Sequence, residues 1–224
     1  MLKILKALPF SLFILLISCN NGESEKIKGP FSNRSIVTKS ITLEPIKYND
    51  EIVRNMDHCI DYMHSTLNAS VALLKKYAKE LPIEEELAEY EKNKRINLKW
   101  LNLRLTNLEE LKEIDPDVKY KATVANSFKK FINLSNNQLS KIPKLLTKDI
   151  NEENMVKATN IIIDTWTTLV EEEKFCQNKC WEFADKHQFK LNGKSKVWDK
   201  EFLEIKQAKE QYKQLVKLYK EKYD

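Results

Sequence analysis

Glycine is nearly absent from this chain. Three glycines occur in 224 residues, where an average sequence has about 7 %. Folds built on tight glycine turns are therefore disfavoured: β-barrels, β-sandwiches, Rossmann folds and P-loop enzymes. Enzyme signatures are missing as well. There is no G-x-S-x-G elbow, no H-E-x-x-H pair, no glycine-rich phosphate loop and no C-x-x-C-H haem attachment motif. Histidine is also scarce, with three residues, and neither His64 nor His187 has a Glu three positions before it. That excludes the Glu-x-x-His pattern of di-iron bundles. The charge is close to balanced, 38 basic against 33 acidic residues, too even to argue for a nucleic-acid partner. The chain is 32 % charged and 42 % hydrophobic, dominated by Lys, Glu, Leu, Ile and Asn, which is the composition of an all-α protein.

The N-terminus has Lys3 and Lys6, an apolar stretch from Leu8 to Ile17, then Ser18-Cys19. A basic start followed by about ten apolar residues reads as a secretory signal, too short to span a bilayer as a helix. Cutting after Ser18 by an ordinary signal peptidase would place Leu16 at the −3 position, where a small residue is needed. Leu16-Ile17-Ser18-Cys19 instead resembles the bacterial lipobox, in which the cysteine becomes the first mature residue and carries the lipid. The resemblance implies a signal peptide over 1–18, lipidation of Cys19, and anchoring to a membrane through several acyl chains. Asn20 follows the cysteine where Asp would resemble an inner-membrane retention signal. The expected address is the cell envelope, at the outer membrane, on its periplasmic or surface face.

Residues 19–48 contain Gly22, Gly29, Pro30 and Pro45 and no sustained period, and read as a lipid-anchored flexible tether. From Asn49 the pattern turns helical. Apolar residues at Ile52, Met56, Cys59, Met63, Leu67, Val71, Leu74 and Leu81 step by threes and fours until Pro82. A second helix begins with Glu84, Glu85 and Glu86, acids favoured by the helix dipole, and runs to about Ile114. Its seam is Leu98, Leu101, Leu105 and Leu108, with Trp100 and Leu103 widening the buried face. Asp115-Pro116 breaks the chain. A third helix carries Val118, Ala125, Phe128 and Leu139 to Pro143, which must kink or stop it. A fourth starts near Asn151, with Met155, Ile162, Trp166, Leu169, Cys176, Cys180 and Phe183 on one stripe. After a loop at Lys190–Lys196 a fifth helix begins at Trp198. Short connections force antiparallel neighbours. The predicted domain, residues 49–224, is an elongated up-down-up-down antiparallel helical bundle with an additional C-terminal helix.

Three cysteines remain beside Cys19. Helices one and four are neighbours in such a bundle, and counting from Asn49 and from the Lys190 loop puts Cys59 and Cys180 at one level. In an oxidising envelope this predicts a disulfide from Cys59 to Cys180 or Cys176, with one thiol left over. The alternative is a small-ligand or metal site at that end, with Cys59, Cys176 and Cys180 as soft ligands and His64 or His187 beside them. Metal-motif spacing is absent, and no cofactor is implied.

Glu171–Glu173 reads as a solvated face beside Lys174. Residues 186–224 carry eleven lysines against six acids, a surface for an anionic partner or, since glutamates interleave, an ordinary solvated helix face. Trp100, Trp166, Trp181 and Trp198 read as core, with Trp181 and Trp198 the pair best placed to line a pocket.

In architecture and lipobox the mature chain resembles the all-helical surface lipoproteins of diderm bacteria, a resemblance that carries no functional residues over. No catalytic set emerges. The expected function is a non-catalytic interaction or binding module, held to a membrane by its N-terminal lipid and contacting an envelope or host protein.

Overall fold

The computed structural model describes residues 44–147, 151–191 and 198–223; the signal segment, Cys19 and the tether up to residue 43 lie outside the described residues. Every element among the described residues is helical: α1 (Pro45–Tyr77), α2 (Glu84–Glu110), α3 (Tyr120–Asn133), a π-helical segment (Leu134–Leu139), α4 (Lys141–Leu146), α5 (Glu152–Lys186) and α6 (Trp198–Tyr223).

The all-α bundle is as expected. α1 packs on α2 and α5, α2 on α3, and α3 and α4 on α5, which closes a ring of four arms; α6 lies against α5. Three contacts fix the antiparallel register of α1 and α5. The Tyr48 and Phe183 rings are 5.4 Å apart, the Cys180 thiol donates to Asn49 Oδ1 at 3.2 Å, and Asn151 N–H donates to the Tyr77 hydroxyl at 3.3 Å.

The helix ends differ from the expected ones for local reasons. α1 begins four residues before Asn49, because Pro45 occupies its first turn, where the missing N–H is no loss. Pro45–Tyr48 therefore belong to the bundle and not to the tether. Tyr48 N–H already donates to Glu44 O at 2.8 Å.

α1 ends at Tyr77, before Leu81. Glu80 adopts φ 57, while Leu81 N–H reaches Lys76 O at 3.1 Å and Glu80 N–H reaches Tyr77 O at 3.0 Å. This is a Schellman motif with glutamate where glycine is usual. α5 ends in the same way, with Gln188 at φ 55, Phe189 N–H on Ala184 O and Gln188 N–H on Asp185 O, both at 3.1 Å. At its other end Asn151 caps α5, its side chain accepting from Asn154 N–H at 2.8 Å.

The break at Asp115-Pro116 is present, and Asp115 Oδ1 accepts from Asp117 N–H (3.1 Å) and Val118 N–H (3.2 Å). Pro143 does not stop the third arm. It sits in the first turn of α4, where a helix has N–H groups to spare. Pro143 has no N–H to donate to Leu139 O one turn back, and the Tyr90 hydroxyl supplies that donor at 2.5 Å. The core runs the length of the bundle. Among its largest fully buried side chains are Tyr48, Tyr77, Tyr90, Tyr120, Phe128, Phe131 and Phe183.

Candidate functional site

The structure corrects the Cys59–Cys180 and Cys59–Cys176 disulfides. All three cysteines are buried free thiols. Cys180 lies opposite Asn49, ten residues before Cys59 and so about 15 Å from its level at 1.5 Å per residue. Bridged Cα atoms lie within about 7 Å. The expected level match failed because α1 starts earlier, and α5 ends earlier, than the counting assumed. Cys176 faces α3, where its thiol donates to Ser127 Oγ at 3.2 Å.

The metal alternative is not assembled either. Among the described residues no group of three or more His, Cys, Asp or Glu side chains could hold an ion. By the same register, His64 and His187 are about 30 Å apart along the bundle. Burial pushes the Cys59 and Cys180 thiols above their ordinary range and Cys176 up to about 12. Thiolates, the form that binds metal or attacks disulfides, are thereby suppressed.

Two interior polar clusters join α5 to its neighbours. At the end where α1 begins, Asp115 is 4 % exposed and also accepts from Lys186 Nζ at 2.8 Å and contacts His187 Nε2 at 3.0 Å. Lys186, then the Val118 N–H and His187, hold its carboxyl down to about 2. Beside it the Tyr48 hydroxyl donates to Glu113 Oε1 at 2.5 Å, and Lys121 Nζ donates to Leu111 O at 2.5 Å. Together they fasten the α2–α3 connection to the start of α1 and the end of α5. Both oxygens of Asp115 are engaged in that fastening.

The second cluster corrects the reading of Glu171–Glu173 as a solvated face. Glu172 and Glu173 are buried, and Glu172 accepts from Ser127 Oγ at 2.6 Å and pairs with Lys130. The Cys176 thiol, the Ser127 hydroxyl and the Glu172 carboxylate form one hydrogen-bonded chain tying α5 to α3.

Two of the tryptophans, Trp100 and Trp181, are corrected too, while Trp166 packs against the core as expected. Trp100 and Trp181 are each 40 % exposed, Trp166 is half-buried, and the Trp198 side chain lies outside the described residues. Trp100 belongs to an uncovered face. α2 buries Tyr90, Asn97, Leu101 and Leu108 and turns Ile96, Trp100 and Leu103, at i, i+4 and i+7, outward at 40–43 % exposure. Such spacing makes a continuous stripe on one side of a helix. Tyr62 of α1 stacks on Trp100 with ring centroids 6.3 Å apart, and His58 stacks on Tyr62, also at 6.3 Å. Burial, then the nearby Arg104 guanidinium, keeps the His58 pKa below its ordinary value. The stripe thus continues as an aromatic ladder onto α1. Seam and stripe fall on different sides of α2; counting apolar residues alone merged them.

A shallow depression of about 340 Å³ lies further along α2, lined by Ala88, Glu91, Lys92 and Arg95. No described helix is long and apolar enough to cross a membrane. No protein-family model, no curated protein and no solved structure matches the chain.

Proposed function

We propose that this protein is a non-catalytic interaction module, held at a membrane of the cell envelope by lipid on Cys19, that meets its partner through the outer face of α2. The observation that carries this is the stripe of Ile96, Trp100 and Leu103. Exposed apolar side chains are ordinary when scattered singly, whereas contiguous ones mark contact surfaces. A tryptophan and a tyrosine stacked at the centre supply the kind of rigid, amphipathic anchor on which interfaces concentrate their energy. The Cys/His end gives no comparable support to the small-ligand or metal reading, since its thiols point to Asn49 and Ser127. The address rests on the lipobox resemblance of Leu16–Cys19.

A photo-crosslinking amino acid placed at Lys99 on α2, and at Lys157 on α5 as a control, tests the surface in living cells. Adducts, with protein or with lipid, are expected from position 99, lost when Trp100→Ser is added, and absent from position 157. Equal adducts from both positions, or none from 99, overturn the reading. The anchor is tested separately by labelling with a radioactive fatty acid: wild type is expected to incorporate it and Cys19→Ala is not.

A further inference from the structure

Resting on that reading of α2, we infer that the partner of this face is a membrane surface bearing anionic phospholipid. The charge of the helix singles out the stripe. From Lys92 to Leu108 α2 contains Lys92, Lys94, Arg95, Lys99 and Arg104 and no acid; its glutamates sit at either end, up to Glu91 and from Glu109. Lys92, Arg95 and Lys99 stand on the solvent side of α2 next to Ile96, Trp100 and Leu103. A helix with Trp, Leu and Ile on one stripe and Lys or Arg along its border is suited to lie in the headgroup region, with apolar side chains reaching the acyl boundary and cations among the phosphates. Tryptophan and tyrosine, which form the Trp100–Tyr62 stack, are the side chains enriched at that depth.

Shape agrees with chemistry. The stripe lies along the outer side of α2 and continues onto α1 through Tyr62, a low ridge that a nearly flat bilayer can receive. The depression lined by Ala88, Glu91, Lys92 and Arg95 lies within a turn of Ile96; its Glu91 carboxylate is paired with Lys94, and Lys92 and Arg95 stand beside it. Acidic groups border the face at Asp61, on the α1 side near His58, at Glu91, paired with Lys94 at 3.0 Å, and at Glu89, paired with Lys92 at 4.0 Å at the N-terminal end of the stripe; Arg95 and Lys99 lie beyond them. The other basic surface, α6, differs. Its exposed lysines interleave with glutamates, as in the Lys213–Glu210 pair at 2.8 Å.

The experiment uses the full chain, so that every variant carries the same N-terminus, and reads Trp100 itself. Emission is recorded on vesicles of phosphatidylcholine, and of an equal mixture with phosphatidylglycerol, both with brominated acyl chains. The Trp100 signal is the difference between wild type and Trp100→Phe. Quenching is expected on the anionic vesicles at low salt, weakening at high salt, and absent on the neutral ones. With every variant held on the vesicle alike through its N-terminus, the ratio of docked to undocked Trp100 should fall about a hundred-fold in the triple variant Lys92→Gln, Arg95→Gln, Lys99→Gln, from roughly five-fold per basic residue near the surface. The control triple Lys206→Gln, Lys209→Gln, Lys213→Gln should leave it unchanged.

Absence of Trp100 quenching on anionic vesicles, equal quenching on neutral ones, or loss of quenching in the α6 triple overturns the assignment. Absent quenching with persistent protein adducts from position 99 overturns the membrane partner and keeps α2 as the contact face. Absence of both overturns the two readings together.

Discussion

Tyr90 and Pro143 are predicted to be energetically coupled across the bundle. Pro143 cannot donate to Leu139 O, and the fully buried Tyr90 hydroxyl donates to it at 2.5 Å. Removing the hydroxyl in Tyr90→Phe changes little volume but takes a donor from a buried carbonyl, a loss of about 1–3 kcal/mol. For a chain of this size that is a fall in Tm of roughly 2–4 °C per kcal/mol. Pro143→Ala supplies an N–H that can reach Leu139 O in a regular helix. In that background Tyr90→Phe should therefore be less damaging, with a coupling energy of about 1 kcal/mol or more. Urea unfolding of the four chains, followed by helical circular dichroism, measures it. If the two changes add within about 0.3 kcal/mol, the account of how the third arm tolerates its proline is wrong.

Three further outcomes are expected. Asp115 has its folded pKa lowered to about 2, below the ordinary carboxyl value near 4. Its stabilising effect is therefore complete above about pH 4 and is lost as pH falls toward 2; Asp115→Asn should flatten that limb of an acid-unfolding curve, and an unchanged limb would refute the assignment. Cys59, Cys176 and Cys180 should resist a thiol reagent in the native protein and all react once it is unfolded, and the unreduced intact mass should show no loss of two hydrogens. Gln188→Gly, at a left-handed position, should raise unfolding stability by about 0.5–1 kcal/mol; a loss would mean that the Gln188 side chain makes a contact worth more than its backbone strain.

The fold was largely legible because its signals are periodic. The stripes of α1 and α5, the acidic start of α2, the Asp115-Pro116 break and the start of α5 near Asn151 all act within one or two helical turns. The helix ends were less legible. With three glycines in the chain, the left-handed positions fell to Glu80, Lys119 and Gln188, residues that give no turn signal. Those misplaced ends shifted the α1–α5 register and with it the expected cysteine pairing. The Tyr90–Leu139 bond was illegible because its partners lie 49 residues apart in sequence. At the α2 face every residue was visible, but which apolar residues turn inward depends on where α1 and α3 pack, which periodicity alone does not specify.

The central claim, that Ile96, Trp100 and Leu103 form a contact face and not part of the core, is tested most directly by unfolding the triple variant Ile96→Ser, Trp100→Ser, Leu103→Ser in urea. The account predicts a total loss below about 5 kcal/mol with native helicity retained, since side chains 40–43 % exposed have only part of their surface to lose, whereas three such truncations in a core would sum to about 7–15 kcal/mol. A loss above about 5 kcal/mol would place these side chains in the core and contradict the account.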